Sequence, residues 1–141
     1  MATNYLDIDL MEKMCHRLAV AVFDTTDDPI APFKEHERSL LDSALNLPKF
    51  SFGGAEQYSS LVDKATVLYY TLNKNHPFRN GNKRIATASL LVFLFINNKW
   101  LDAGKNEMVE KALAVAQSKP EERKEVLIEL TKWISAHIVD A

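Results

Sequence analysis

The segment YSSLVDKATVLYYTLNKNHPFRNGNKRIATASLLVFLFINN, residues 58–98, decides the fold. Apolar residues recur every three or four positions from Tyr58 to Asn73, which predicts a helix with one buried face. That helix cannot continue through residues 73–82, because Pro77 lacks an N–H group and disfavours helical backbone for the residue before it. A second helix is predicted from Lys83 to Asn98, and it is apolar nearly all round, which places it in the middle of a bundle.

Further segments with helical spacing lie on either side of this pair. They are Asp7–Phe23, Arg38–Leu47, Asn106–Gln117 and Glu121–Val139. The sequence shows no repeat, low-complexity stretch or internal linker, and 141 residues are enough to bury one hydrophobic core. We therefore expect an all-α protein in which residues 1–141 form a single domain, a compact helical bundle.

Charge and hydropathy exclude several classes of protein. The net charge of −2 argues against a nucleic-acid-binding protein, because neutralising phosphates needs a broadly basic surface. The longest apolar run, Ala88–Ile96, is far shorter than the roughly 20 residues that span a bilayer. The N-terminal stretch MATNYLDIDL lacks the basic and apolar regions of a secretory signal. We expect a cytoplasmic protein without a nucleic-acid or membrane partner.

The first predicted helix carries two residue types that often serve chemistry. Cys15 is the only cysteine, so the chain cannot form an internal disulfide, and its apolar neighbours Met14 and Leu18 favour a packed thiol over a nucleophile. Glu12 and His16 share one helix face, but two ligands do not make a metal site. We expect structural or surface roles for these side chains.

The loop between the two central helices carries the candidate chemistry. His76 is the only histidine there, and Gly81 and Asn82 precede the start of a helix. A helix start presents unpaired N–H groups and a partial positive charge, so it binds phosphate, and a glycine lets the anion approach closely. Lys83 and Arg84 add charge at the same end, and Arg84 can grip a phosphate with two parallel N–H groups.

The two cations stand where a helix alone would not favour them. Lys83 and Arg84 oppose the helix dipole, at a cost of a few tenths to about 1 kcal/mol. That cost is understandable if an anion binds there. The alternative is a solvated loop followed by a basic helix start.

The segment HPFRNGNKR, His76 to Arg84, resembles the signature of the Fic/Doc family. That signature reads His-Pro-Phe, any residue, Asp or Glu, Gly-Asn, Gly or Lys, then Arg. Every defined position matches except Asn80, which replaces the acid, and Lys83 resembles the Doc branch, the death-on-curing toxins. The stretch LLDSALNLP, residues 40–48, and the apolar helix after the motif also resemble the Doc layout. A motif of this length in a helix–loop–helix context is a specific signal.

The resemblance implies a role for each residue of the motif's first part. The family histidine is a general base that takes the proton from a Ser, Thr or Tyr hydroxyl of a target protein, and this role falls on His76. Imidazole suits the task because its ordinary pKa lies near neutrality. Pro77 would fix the loop backbone, and Phe78 would anchor the loop in the core.

The second part of the motif would hold the nucleotide. By resemblance, Gly81 and Asn82 form an anion hole, Arg84 binds a terminal phosphate, and Lys83 adds a second cation. The family's acid binds Mg²⁺, and Asn80 offers only a neutral carbonyl oxygen in its place. We expect ATP or another nucleoside triphosphate as co-substrate, with Mg²⁺ binding weakened at Asn80 or compensated by the cations.

The segment between the predicted helix Arg38–Leu47 and the predicted helix that starts at Tyr58 resembles the family's flap, a small β-hairpin-like element that pairs with the target's backbone. Its residues are Lys49, Phe50, Ser51, Phe52, Gly53 and Gly54. The alternative is an ordinary loop between helices. The family's self-inhibiting pattern has its nearest match at Ser118–Glu122, but Arg123 fails the last position. A Doc-like toxin would be held instead by a separate antitoxin peptide.

Three functional interpretations follow from the resemblance. The first is a Doc-like protein kinase toxin that phosphorylates a protein of the translation machinery, with elongation factor Tu as the candidate target. The second is an adenylyltransferase that transfers AMP, as most Fic proteins do. The third is a non-catalytic domain that binds a nucleotide or a partner, which the replacement at Asn80 suggests. Lys83 favours the first, since in the Doc branch it accompanies a nucleotide bound with its γ-phosphate at the point of attack.

Overall fold

Two helices on either side of Pro77 form the centre of the fold. In a computed structural model, which describes residues 2–141, α4 spans Leu61–Asn75 and α5 spans Asn82–Phe95. The hydroxyl of Ser60 accepts a hydrogen bond from the Asp63 N–H at 3.0 Å, so α4 begins at this cap and later than predicted. Every residue of α5 from Ile85 to Leu94 is buried, as its nearly uniform apolar sequence predicts.

The other helices pack around this pair. They are α1 (Ile8–Leu10), α2 (Arg17–Phe23), α3 (Arg38–Asn46), α6 (Lys105–Gln117) and α7 (Arg123–His137). A π-helical stretch, Met11–His16, joins α1 to α2 without interruption. Helix α5 contacts α2, α4 and α6, while α3 and α7 pack against α4. The prediction of a helical bundle is therefore confirmed.

The predicted hairpin is present between α3 and α4. Strand β1 (Ser51–Phe52) pairs antiparallel with β2 (Ala55–Glu56). The turn is made by Gly53 and Gly54, whose φ angles are 60° and 82°. Two successive left-handed residues favour a tight hairpin turn, and glycine adopts that backbone without strain.

A second two-stranded sheet was not expected from the sequence. Strand β3 (Lys99–Leu101) follows α5 and pairs antiparallel with β4 (Ile138–Asp140) at the end of the chain. The predicted last helix, which ran to Val139, was therefore too long. Periodicity misses this pair because each strand has three residues and its partner lies far away in sequence.

Burial agrees with the expectation for the single cysteine. Cys15 is fully buried in the core, and this burial raises the pKa of its thiol to about 12. A thiol in that environment is a poor nucleophile, so the interpretation as a packed side chain is confirmed. Within residues 2–141, no helix has the length and apolar character that crossing a bilayer requires.

A buried lysine fixes the base of the hairpin. Lys64, on the first turns of α4, is only 1% exposed. Its ammonium group donates to the carbonyl oxygens of Pro48 and Tyr58 and lies 3.3 Å from a carboxylate oxygen of Glu56. Since these acceptors precede, belong to and follow the hairpin, one cation ties both of its ends to the helical core.

We expect the Lys64→Met variant to lose about 2–4 kcal/mol of the free energy of unfolding, because methionine keeps the length but leaves carbonyl groups without a donor. Urea denaturation measures this loss. In hydrogen exchange, the Gln57 amide, which donates to the Phe50 carbonyl oxygen at 3.0 Å, should exchange faster. Lys124→Met, at an exposed position of α7, is the matched control. Equal stability of the two variants would contradict the anchoring role.

Candidate active site

His76 stands exposed where α4 ends. It is the C-terminal cap of that helix and adopts left-handed backbone, with φ 48° and ψ 57°. Pro77 ends the helix here, because it disfavours right-handed helical backbone for the preceding residue. The imidazole lines an open cleft of about 330 Å³, whose other walls are Glu35, His36, Glu37, Pro77, Phe78 and Arg79. An exposed imidazole in a cleft can meet the side chain of another molecule.

A short stretch of extended chain holds the loop after His76. The N–H of Glu37 donates to the carbonyl oxygen of Pro77 at 2.8 Å, and the N–H of Arg79 donates to that of Glu35 at 3.2 Å. These bonds make an antiparallel bridge centred on His36 and Phe78. The backbone beside His76 is therefore fixed by pairing with the segment that precedes α3.

Phe78 and Asn82 close the loop on itself. Phe78 is 7% exposed and packs against Phe33 and His16, with ring centroids 5.8 and 6.5 Å away. The buried amide of Asn82 accepts from the Phe78 N–H and donates to the Phe78 carbonyl oxygen, both at 2.9 Å. The resemblance predicts that Asn82 contributes to an anion hole. Its side chain is bound to Phe78 within the loop, so the backbone N–H is the group that it can offer to an anion.

The start of α5 carries no side-chain cap. Gly81 is the capping residue, with φ 72°, and the first turn contains no acid. Backbone N–H groups there point out of the helix and favour an anion. Lys83 is partly exposed and makes no ion pair within residues 2–141. This end of α5 therefore keeps an available cation and an uncapped helix start.

Gly81 is required for a reason that the sequence did not reveal. Besides its left-handed φ, a Cβ at this position would lie only 2.9 Å from Cγ1 of Ile30. The space beside Gly81 is therefore filled by an apolar side chain of the chain itself. The expected close approach of an anion does not apply to this face of the glycine.

Arg84 has partners within the chain. Its Nη1 donates to the carbonyl oxygen of Asp28 at 2.8 Å and lies 3.5 Å from Oδ1 of Asp24, while Nη2 lies 3.1 Å from Oδ2 of Asp28. The Arg84 side chain is only 13% exposed. The sequence suggests that cations in the first turn of α5 bind an external anion. For Arg84 this argument loses force, because two carboxylates of the chain compensate its charge.

Asn80 does not fit a resident Mg²⁺. Its Oδ1 accepts from the Ala31 N–H at 2.7 Å, and its Nδ2 donates to the Pro29 carbonyl oxygen at 2.7 Å and to Oδ1 of Asp28 at 3.3 Å. Both ends of the amide are therefore engaged. Within residues 2–141 no three His, Cys, Asp or Glu side chains are grouped so that they could hold a metal ion. The replacement of the family's acid thus serves a contact between this residue and a neighbouring loop.

Sequence reasoning missed three residues that meet the motif from the N-terminal side, Asp24, Asp28 and Ile30. His16 is buried, and its Nε2 lies 2.8 Å from the carbonyl oxygen of Ala31. The structural role expected for His16 is therefore confirmed. The one signal that the sequence offers is the pair of acids in TTDDP, residues 25–29, and nothing local to them indicates Arg84.

The site thus combines an exposed histidine at a helix exit, a loop closed on itself and the uncapped start of a buried helix. The chain belongs to the Fic/DOC family, whose model matches residues 5–94. A curated relative, Toxin Doc of Mycolicibacterium smegmatis, is 40% identical over 70 residues, which are 50% of this chain and 54% of the relative. The chain thus spans about half the length of that relative. No solved structure matches the chain significantly.

We expect Asn80→Asp to lower the free energy of unfolding by about 1–3 kcal/mol, because it removes two donors and places a carboxylate beside Asp28 and the Pro29 carbonyl oxygen. Urea denaturation with and without Mg²⁺ measures this change. Asn106→Asp, the same substitution at an exposed position in the first turn of α6, should leave stability nearly unchanged. A stability gain for Asn80→Asp that depends on Mg²⁺ would contradict the contact role and indicate a metal ligand.

Proposed function

We propose that the chain transfers a phosphate-containing group from a nucleotide to a Ser, Thr or Tyr hydroxyl of a target protein. The proposal rests on the exposed His76. Its loop is held by backbone hydrogen bonds to the segment before α3 and leads into the uncapped, cationic start of α5. Membership of the Fic/DOC family supports it. The relative's name, Toxin Doc, supports a toxin of the Doc branch. From the resemblance of Lys83 to that branch, we propose a protein kinase that uses ATP and acts on the translation machinery, with elongation factor Tu as the candidate target.

The chemistry of the proposed step needs a base and a phosphate site. Neutral His76 accepts the proton of the target hydroxyl, whose oxygen attacks the γ-phosphorus of ATP. The bond from that phosphorus to the bridging oxygen breaks, and ADP leaves with the electron pair. The N–H groups at the start of α5 and the ammonium of Lys83 stabilise the phosphate charge. No part of this step depends on a metal at residue 80.

The β1–β2 hairpin is the proposed docking element for the target. Phe52 is 77% exposed and Phe50 is 48% exposed, although both are large and apolar. A two-stranded hairpin offers free backbone groups along its edges, to which an extended peptide can add a strand. Lys64 would keep this edge in place. The resemblance to the family's flap supports the same role for Lys49 through Gly54.

Two other functions remain candidates. An adenylyltransferase would use the same base, but the hydroxyl would attack the α-phosphorus and pyrophosphate would leave. A non-catalytic nucleotide- or partner-binding domain is favoured by one observation, the engagement of both Asn80 and Arg84 within the chain. For the toxin interpretation, we propose a separate antitoxin peptide as the partner that restrains the activity.

Label transfer distinguishes these functions. The protein is incubated with a cell lysate and ATP labelled at the α- or the γ-phosphate, and we expect γ-label on a protein. Transfer of α-label would indicate adenylylation, and no transfer of either label would contradict an enzymatic function. His76→Asn should reduce transfer by about 10²–10⁴-fold, because asparagine tolerates left-handed backbone but is no base. His137→Asn, far along the chain at the end of α7, should retain wild-type transfer with the same helical content.

A further inference from the structure

The loop after α2 covers the second half of the motif. We call residues Asp24–Ala31 the latch. Its carboxylates at Asp24 and Asp28 contact Arg84, its Ile30 side chain fills the space beside Gly81, and its backbone is bound by Asn80. Asn80, Gly81 and Arg84 of the motif are therefore all in contact with one segment of the same chain.

The two ends of the latch differ in how they are bound to the rest of the chain. At Ala31 the backbone N–H donates to Oδ1 of Asn80 at 2.7 Å, and the carbonyl oxygen lies 2.8 Å from Nε2 of His16. Two of its three contacts with Arg84 are made by the carboxylates of Asp24 and Asp28, and the Asp28 side chain is 69% exposed. The third is the hydrogen bond that Arg84 donates to the Asp28 carbonyl oxygen. Exposed ion pairs contribute little because water and salt screen them. The carboxylates can therefore leave Arg84 while Ala31 remains attached.

Phosphate and the latch compete for the same groups. The guanidinium of Arg84 faces two carboxylates, which compensate its charge and repel an approaching phosphate. Little of its side chain is open to another ligand, since it is 13% exposed. A triphosphate carries more charge than either carboxylate and can accept two parallel N–H bonds from arginine. It can therefore displace the latch once it reaches Arg84.

We propose that the latch is an autoinhibitory element, in which Asp24 and Asp28 occupy Arg84 until the phosphates of a nucleotide displace them. This inference rests on the proposed function in so far as it assigns nucleotide phosphates to the start of α5. The cost of opening lowers the apparent affinity for the nucleotide, because only the open fraction of the protein is competent to bind. Removing the carboxylates should raise that fraction.

The test compares ATP binding by wild type and by Asp24→Asn/Asp28→Asn, measured by calorimetry. Asparagine keeps the oxygen that accepts from the Ile30 N–H at Asp24, so the turn can persist. We expect the double variant to bind ATP about three- to tenfold more tightly. The matched control is Asp27→Asn, an exposed acid of the same loop without a contact to Arg84, which should bind as wild type does. Tighter binding by the control to the same degree would overturn the latch, because it would show a general charge effect.

Hydrogen exchange separates failure of the latch from failure of the proposed function. Adding ATP to wild type should speed exchange at the Ile30 amide, which is bound to Asp24 in the closed state. Slower exchange there, or unchanged affinity of the double variant while wild type binds ATP, would overturn the latch alone. If neither protein binds ATP, the nucleotide site is wrong and the proposed function fails with it. Circular dichroism must show the same helical content for all variants.

Discussion

The buried amide of Asn82 is the contact on which the site depends. By binding both the N–H and the carbonyl oxygen of Phe78, it closes the loop between α4 and α5 over a buried aromatic ring. A buried amide that lost these partners would be costly, so the loop has one favoured conformation. His76 at one end and the start of α5 at the other consequently keep a fixed relation, which group transfer requires.

Local pattern was enough to predict the centre of the fold but not everything around the site. Helices α4 and α5 follow from apolar spacing and from Pro77, and the hairpin from the resemblance of residues 49–54 to the family's flap. The pairing of β3 with β4 leaves no local trace, because it joins short strands distant in sequence. That α4 ends before Pro77 could be expected, since proline disfavours helical backbone for the residue before it.

The partners of Arg84 show where sequence reasoning about the site ends. A cation at a helix start is unfavourable on its own, and that part of the argument stands. What the sequence could not show is that Asp28, 56 residues earlier, supplies the compensating anion. Asn80 belongs to the same arrangement, since its amide donates towards Asp28 where an acid would repel it. The negative charge that the family places in the motif lies here in the neighbouring loop.

The central claim is that the start of α5 is the phosphate site, and backbone amide NMR during titration with ATP tests it most directly. The account predicts that the largest chemical-shift changes fall on the amides of Gly81, Asn82, Lys83 and Arg84. The chain provides an internal comparison, because α6 also begins at a glycine, Gly104, without a side-chain cap, and with Lys105 as its first residue. Shifts at the start of α6 equal to or larger than those at α5 would show only the general attraction of helix ends for anions and would contradict the assignment.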